Sequence, residues 1–302
     1  MAFYGPLQQR WKMSTPVADK LGAMLESPGI LSFPCCYDAL SARLIERAGF
    51  TLSFMSGFAV SAVRLGLPDT GLISYGEMID QGRSICACVS MPIIGDGDTG
   101  YGNPVNVKRT VRGYAAAGFA AIMIEDQEWP KRCGHTRGKR VVARGEAVAR
   151  VRAAVDAREE GAGILILART DALATDGLEE ALWRAQAFSD VGADMLFVEA
   201  PTSHEQMETI ISRAPGYHLA NMLEDGNTPI LTDDELTSMG FKLVAHPFAA
   251  LGASILAMKK ALAELKMGGT PEDRISFKEL REDVGFGEYY REEERYISDL
   301  DG

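Results

Sequence analysis

Residues 92–126, PIIGDGDTGYGNPVNVKRTVRGYAAAGFAAIMIED, decide the fold. The segment opens on a short apolar run, Pro92–Asp96, and passes through a glycine-rich turn. An amphipathic pattern follows over Asn103–Ala117, then Gly118 where a helix takes a left-handed cap, then a second run, Ala120–Glu125. Neither run alternates polar and apolar, so both read as strands covered on two faces, the mark of a parallel sheet. Working outward, similar runs occur at Leu31–Cys35, Thr51–Met55, Gly163–Arg169, Asp194–Glu199, Tyr217–Met222 and Phe241–His246. Helical patterns lie between them at Asp38–Ala48, Ala143–Glu160, Leu178–Val191 and His204–Arg213. Gly49, Gly161, Gly192 and Gly240 stand at further cap positions. Eight βα units in 302 residues predict a (β/α)8 TIM-type barrel spanning 1–302 as one domain. An open doubly wound sheet is the alternative, but no GxGxxG follows the first run. Beyond the eighth unit, about 270–302, Pro271–Gly285 and the Glu/Arg/Tyr-rich stretch to Tyr296 read as a tail of one or two helices. Docking of that tail on a neighbouring subunit is the sharper expectation; a solvated face is the plainer one.

Charge narrows the partners. Lys+Arg 31 against Asp+Glu 42 leaves a net charge of −11. Such a surface repels phosphate backbones and anionic lipid, so neither nucleic acid nor membrane is expected. The N-terminal MAFYGPLQQRWKM lacks the apolar core of a secretion signal, and Ser298–Gly302 carries no retention or peroxisomal address. A cytoplasmic location is expected, with a mitochondrial matrix as the alternative. The five cysteines, Cys35, Cys36, Cys86, Cys88 and Cys133, form neither a disulfide framework nor a zinc pattern. Four of them read as core.

In a barrel the chemistry sits where strands end. The third run ends in Gly95-Asp96-Gly97-Asp98-Thr99-Gly100, the fourth in Glu125-Asp126, the fifth in Arg169-Thr170-Asp171, the sixth in Glu199, the seventh in Asn221 and the eighth in His246. Asp96 and Asp98 share the two-residue period of a strand and lean to one side. Carboxylates gathered on one rim repel unless a cation joins them, and Mg²⁺ is the usual partner of such oxygens. A lone Asp-Gly-Asp would read as a surface turn; Glu125 at the next strand end tips the reading to metal. Arg169 ends an apolar run, where an unpaired guanidinium is costly to bury. It reads as an ion pair with Glu199, as a clamp on a substrate carboxylate, or as both. Cys133, among Lys131, Arg132 and His135, is expected to have a depressed pKa and to exchange protons near neutrality. His204 and His218 read as structural, and His246 as lining the rim.

The motif Lys131-Arg132-Cys133-Gly134-His135 closely resembles the signature of the isocitrate lyase and phosphoenolpyruvate mutase superfamily. Ser56-Gly57, Leu65–Asp69, Gly95–Gly102, Ile124–Gln127, Ala168–Asp171, Glu199-Ala200 and Ala220–Met222 extend the resemblance from about Leu31 to the tail. It implies that Asp96 binds Mg²⁺ (or Mn²⁺) directly, with Asp69, Asp98 and Glu125 acting through its waters. Ser56, Gly57 and Arg169 would hold the α-oxo acid half, while Gly134, His135 and Asn221 would bind the other carboxylate. Cys133 would be the general acid, with Glu199 orienting Arg169 or the leaving group. The eighth helix would be swapped between subunits of a homotetramer. The implied reaction is retro-aldol (retro-Claisen) cleavage of a 2-hydroxy dicarboxylate under the loop Trp129–Val142.

The sequence is most similar to the short-chain lyases of that group. It departs from their methylisocitrate pattern at Phe54, at Phe58 and at Pro247-Phe248-Ala249, which makes a more apolar pocket, suited to methyl groups. Pro247 and Ala249 offer no hydroxyl to the hydrate that an oxaloacetate hydrolase binds. The expected substrate is therefore 2,3-dimethylmalate, with methylisocitrate and oxaloacetate as alternatives. A catalytically silent dicarboxylate sensor is the alternative of another class.

Overall fold

Strands Leu31–Cys36 (β1), Ser53–Met55 (β2), Ile93–Asp96 (β3), Ala121–Glu125 (β4), Leu165–Thr170 (β5), Met195–Val198 (β6), Tyr217–Asn221 (β7) and Leu243–His246 (β8) pair in parallel in chain order. β8 pairs with β1, Leu31 opposite Leu243, and closes the barrel. Each strand lies within two residues of the apolar run read from the sequence. The structure is a computed structural model that describes residues 14–136 and 138–297. The readings of residues 1–13 as lacking a secretion signal and of 298–302 as lacking an address lie outside the described residues.

Local chemistry sets the helices between the strands. Pro104–Ala117 starts on Asn103, whose side chain accepts from the Val105 and Asn106 N–H groups. It stops at Gly118, at φ 100°, a left-handed value that a side chain would strain. The Ala143–Glu160 pattern is interrupted: Arg144–Ala157 is α-helical, then Arg158–Ala162 widens into a π turn. Gly161, at φ 104°, ends the α-helical geometry there.

Side chains alternate between the two faces of a strand, and one phase of each fills the barrel. Phe33, Cys35, Phe54, Ile94, Ala121, Met123, Leu165, Leu167, Met195, Phe197, Leu219, Leu243 and Ala245 form one buried cluster. Leu21 and Leu25 of the helix Pro16–Glu26 join it beside the strand-start residues Leu31 and Tyr217. Each leucine so buried contributes about 1.5–3 kcal/mol.

His246 belongs to the opposite phase from Ala245, so it faces outward. It does not line the rim cavity as the sequence reading expected; its Nε2 lies 3.1 Å from Ser32 Oγ on β1. His218 is buried, with Nε2 2.9 Å from the Ala214 carbonyl, and burial pushes its pKa down.

The chain divides into two compact units, Met1–Ala250 and Leu251–Gly302. The helix Ala249–Lys266 falls almost wholly in the second, where Phe277–Asp283 and Phe286–Ile297 form two helices in the tail that the sequence reads as one or two. Arg281 stands 5.9, 5.3 and 5.9 Å from the ring centres of Phe277, Phe286 and Tyr290. Leu256, Leu262, Met267 and Phe277 are 70, 64, 81 and 72% exposed. No described helix is long and apolar enough to cross a membrane.

Candidate active site

The strand phase that fills the core continues, two residues further, into the C-terminal mouth of the barrel. Phe54 leads to Ser56, Ile94 to Asp96, Met123 to Glu125, Leu167 to Arg169, Phe197 to Glu199, Leu219 to Asn221, and Ala245 to Pro247. A space of about 700 Å³ opens there. Its lining includes Ser56, Phe58, Asp69, Asp96, Cys133, Gly134, His135, Arg169, Glu199, Asn221 and Pro247. Of the residues singled out in the sequence, Gly57, Asp98 and Glu125 stand just behind that lining.

Asp96 is held by two backbone donors: Gly57 N–H to Oδ2 and Asp98 N–H to Oδ1, each 3.0 Å. A Cβ on Gly57 would sit 2.6 Å from Asp96 Oδ2, so this approach requires glycine. Asp98 is not a continuation of the strand, as its spacing suggested. The strand ends at Asp96 and Asp98 turns to φ 48°, with Tyr101 Oη donating to its carboxylate at 3.0 Å. Burial and the neighbouring Asp98 push the Asp96 pKa up to about 6. Burial likewise raises Asp69 and Glu125.

Lys131 answers part of this charge. Its buried Nζ lies 2.6 Å from Asp69 and 2.7 Å from Asp98, joining the segments after β2, β3 and β4. The sequence shows Lys131 only as a basic neighbour of Cys133; nothing in its spacing marks it as a counterion for carboxylates some 30 and 60 positions away.

Four carboxylates, Asp69, Asp96, Asp98 and Glu125, could hold a divalent cation. Glu125 Oε1 is buried with no hydrogen-bond partner among the described residues, and hard oxygens suit Mg²⁺. No three His, Cys, Asp or Glu side chains among the described residues converge tightly enough to grip an ion unaided. An ion here would keep several of its waters, as Mg²⁺ prefers.

Arg169 has Asp171, not Glu199, as its main partner. Its Nε donates to Asp171 Oδ2 at 2.8 Å and its Nη2 to Oδ1 at 3.1 Å. Glu125 lies at 3.4 Å and Glu199 at 3.8 Å from Nε. Glu199 instead meets His135 Nε2 at 2.7 Å. His135 Nδ1 accepts from Asn227 N–H at 3.1 Å, which leaves the ring proton on Nε2, facing Glu199.

The expected depression of the Cys133 pKa is overturned. Burial pushes the half-buried thiol up, and the Glu199 carboxylate adds to the rise. The basic neighbours do not offset this, because Lys131 is committed to Asp69 and Asp98, His135 faces Glu199, and Arg132 is exposed. A thiol that stays protonated at neutral pH suits a proton donor. Cys35, read as plain core, also lines the space. The remaining wall is apolar: Phe54, Phe58, Phe197, Leu219, Leu223 and Phe248, with Phe58 and Phe248 ring centres 5.4 Å apart.

Comparison with known proteins matches this architecture. The family model described as phosphoenolpyruvate phosphomutase covers residues 21–266. A carboxyvinyl-carboxyphosphonate phosphorylmutase of Arabidopsis thaliana, described as chloroplastic, is 43% identical over 90% of this chain and 83% of its own. The 2,3-dimethylmalate lyase of Eubacterium barkeri is 39% identical over 93% of this chain and 98% of its own. Among solved structures, oxaloacetate acetylhydrolase with 3,3-difluorooxalacetate superposes with a TM-score of 0.88 at 36% identity, covering 92% of this chain and 96% of the other. Phosphonopyruvate hydrolase, solved with oxalate and Mg²⁺, superposes at 0.83 and 30% identity over 94% of this chain and 100% of the other. The protein belongs to the phosphoenolpyruvate mutase/isocitrate lyase superfamily and is an enzyme of that group of lyases and mutases.

Proposed function

We propose that this enzyme cleaves the C2–C3 bond of a 2-hydroxy dicarboxylate, with 2,3-dimethylmalate giving pyruvate and propionate as the preferred reaction. The observation that carries the reading is the mixed lining of one cavity. A guanidinium, carboxylates and the Cys133 turn share it with Phe54, Phe58, Phe197, Phe248 and Pro247, and Phe197 lies under the Arg169 guanidinium itself. Arg169 and Ser56 hold the oxo-acid end beside Gly57, whose N–H fixes Asp96; Gly134, His135 and Asn221 take the second carboxylate. Asp96 would bind Mg²⁺ directly, with Asp69, Asp98 and Glu125 around its waters. Bound there, the ion supplies a Lewis acid that eases negative charge onto the substrate's carboxylate and hydroxyl oxygens.

The C2 hydroxyl gives its proton to a carboxylate of the rim such as Asp69, which burial makes a better base, the C2–C3 bond breaks, and the electron pair passes to the propionate half as an enediolate. N–H donors of the Cys133 turn stabilise that charge as it forms. Cys133, kept protonated by its surroundings, then delivers a proton to C3. A methyl group on C3 fits against Phe58 and Phe248, where a third carboxylate would be desolvated without a partner. That wall favours dimethylmalate over methylisocitrate, and the absence of a hydroxyl at Pro247 and Ala249 weighs against oxaloacetate. The phosphorylmutase name of one relative favours phosphorus transfer as the second reading; the apolar wall opposes it.

The test is turnover of the purified protein with Mg²⁺ on dimethylmalate, methylisocitrate, isocitrate and oxaloacetate, with pyruvate, glyoxylate, oxalate and acetate quantified. Pyruvate from dimethylmalate is expected. Pyruvate from methylisocitrate alone contradicts the substrate, and no product from any acid favours a dicarboxylate sensor.

We also propose a homotetramer in which residues 251–297 dock on another copy, because apolar side chains of that unit are left in water in the single chain. Sedimentation should give about four chains per particle; a monomer contradicts it. A cytoplasmic or organellar location is part of the same reading.

A further inference from the structure

We propose that Lys139 and Asp171 are positioning residues that set the Cys133-Gly134-His135 turn against Arg169, an inference that rests on reading Cys133 and Arg169 as the residues that meet substrate. The Lys139 side chain is 5% exposed and its Nζ serves two acceptors. One is the carbonyl of Gly134, and the other is Asp171 Oδ1 at 2.8 Å. The same fully buried carboxylate takes two hydrogen bonds from Arg169. A single aspartate therefore ties the lysine that holds the turn to the arginine of the site.

Asp171 is itself fixed. Its N–H donates to Asp126 Oδ1 at 2.9 Å. Asp126 Oδ2 accepts from Thr170 Oγ1 at 2.6 Å and from Arg184 Nη1 at 3.0 Å. Arg184 also donates to the Val142 carbonyl at 2.9 Å. The segment carrying Cys133 is thus anchored at Gly134, through Lys139 to Asp171 at the end of β5, and again at Val142, through Arg184 of the helix Leu178–Asp190 and the Asp126 that Arg184 shares with Asp171. Tolerance at Gly134 is small, since a Cβ there would lie 2.5 Å from Glu199 Oε1 and 2.6 Å from Arg169 Nη2. Neither Lys139 nor Asp171 is among the residues lining the cavity, so both act through Gly134 and Arg169.

The experiment uses the full-length Lys139→Met and Lys139→Arg variants. Iodoacetamide labelling of the Cys133 peptide is followed by mass spectrometry, with the Cys86/Cys88 peptide as internal control, alongside kcat and KM. In Lys139→Met the Cys133 labelling rate should rise about tenfold as the turn loosens locally, with the control peptide unchanged. Misplacement on the scale of an ångström should lower kcat/KM by about 10²-fold. Lys139→Arg, which keeps the charge and the donors, should label like the parent. Unchanged Cys133 labelling in Lys139→Met, a rise shared equally by the control peptide, or Lys139→Arg matching Lys139→Met would each overturn the proposal. Labelling needs no turnover, so it tests the positioning even if every acid above goes uncleaved.

Discussion

Serine at position 133 should lower turnover by about 10²–10⁴-fold, the usual contribution of a positioned proton donor, while an oxo-acid inhibitor binds with unchanged affinity. The hydroxyl is close to the thiol in size, so the apolar wall and the Arg169 side of the cavity keep their shape. What changes is acidity. Burial and Glu199 raise the Cys133 thiol enough to keep it protonated, yet it remains a far better acid than a serine hydroxyl. The enediolate would then form and wait for a proton that arrives slowly. Steady-state rates with calorimetric titration of the inhibitor check this. A Cys133→Ser rate near that of the parent would show that another group protonates C3.

Arg169→Met should cost about 3 kcal/mol of unfolding free energy, because removing one partner of a buried ion pair strands the other. Asp171, Glu125 and Glu199 all lie within 4 Å of this guanidinium and are almost wholly buried. An exposed pair such as Arg213–Glu179 should cost far less when broken, because water screens both charges. The acid side of the stability curve should move too. Burial alone would raise the Asp171 pKa, but Arg169 and Lys139 outweigh it and hold it down at about 2. A carboxylate depressed in the folded state stabilises above its ordinary value of 3.8, and that contribution is lost as pH falls toward 2. Without Arg169 the folded pKa rises, so the variant has less acid-linked stability to lose and the gap between parent and variant should narrow as pH falls toward 2. Urea unfolding at pH 7 and pH 3 measures both effects. A loss below about 1 kcal/mol at pH 7 would place Arg169 with the surface pairs.

The barrel was legible because each strand is a continuous apolar run bounded by turn formers, and because those runs end in Asp96, Glu125, Arg169, Glu199 and Asn221. Two-residue alternation also explains an error. Ala245 faces the core, so His246 turns outward to Ser32 and Pro247 reaches the cavity. The remaining site residues depend on tertiary charge pairing. Lys131 and Lys139 lie in a polar loop where lysines are usually solvated, and their burial against Asp69, Asp98 and Asp171 follows only once the segments after β2 to β5 converge. The direction of the Cys133 shift is hidden from the sequence for the same reason. Basic residues adjacent in sequence spend their charge on distant carboxylates, and burial decides the sign. Asp171 was visible at a strand end but could not be separated from Glu199 as the partner of Arg169 until the distances were known.

The most direct measurement is a competition in one tube. Equal concentrations of 2,3-dimethylmalate and 2-methylisocitrate are given to the enzyme with Mg²⁺, and propionate is read against succinate. The apolar wall of Phe58, Phe248 and Pro247 predicts propionate in excess by about tenfold or more, as expected when one competitor must desolvate an unpartnered carboxylate. Succinate in excess, or neither product, would contradict the account.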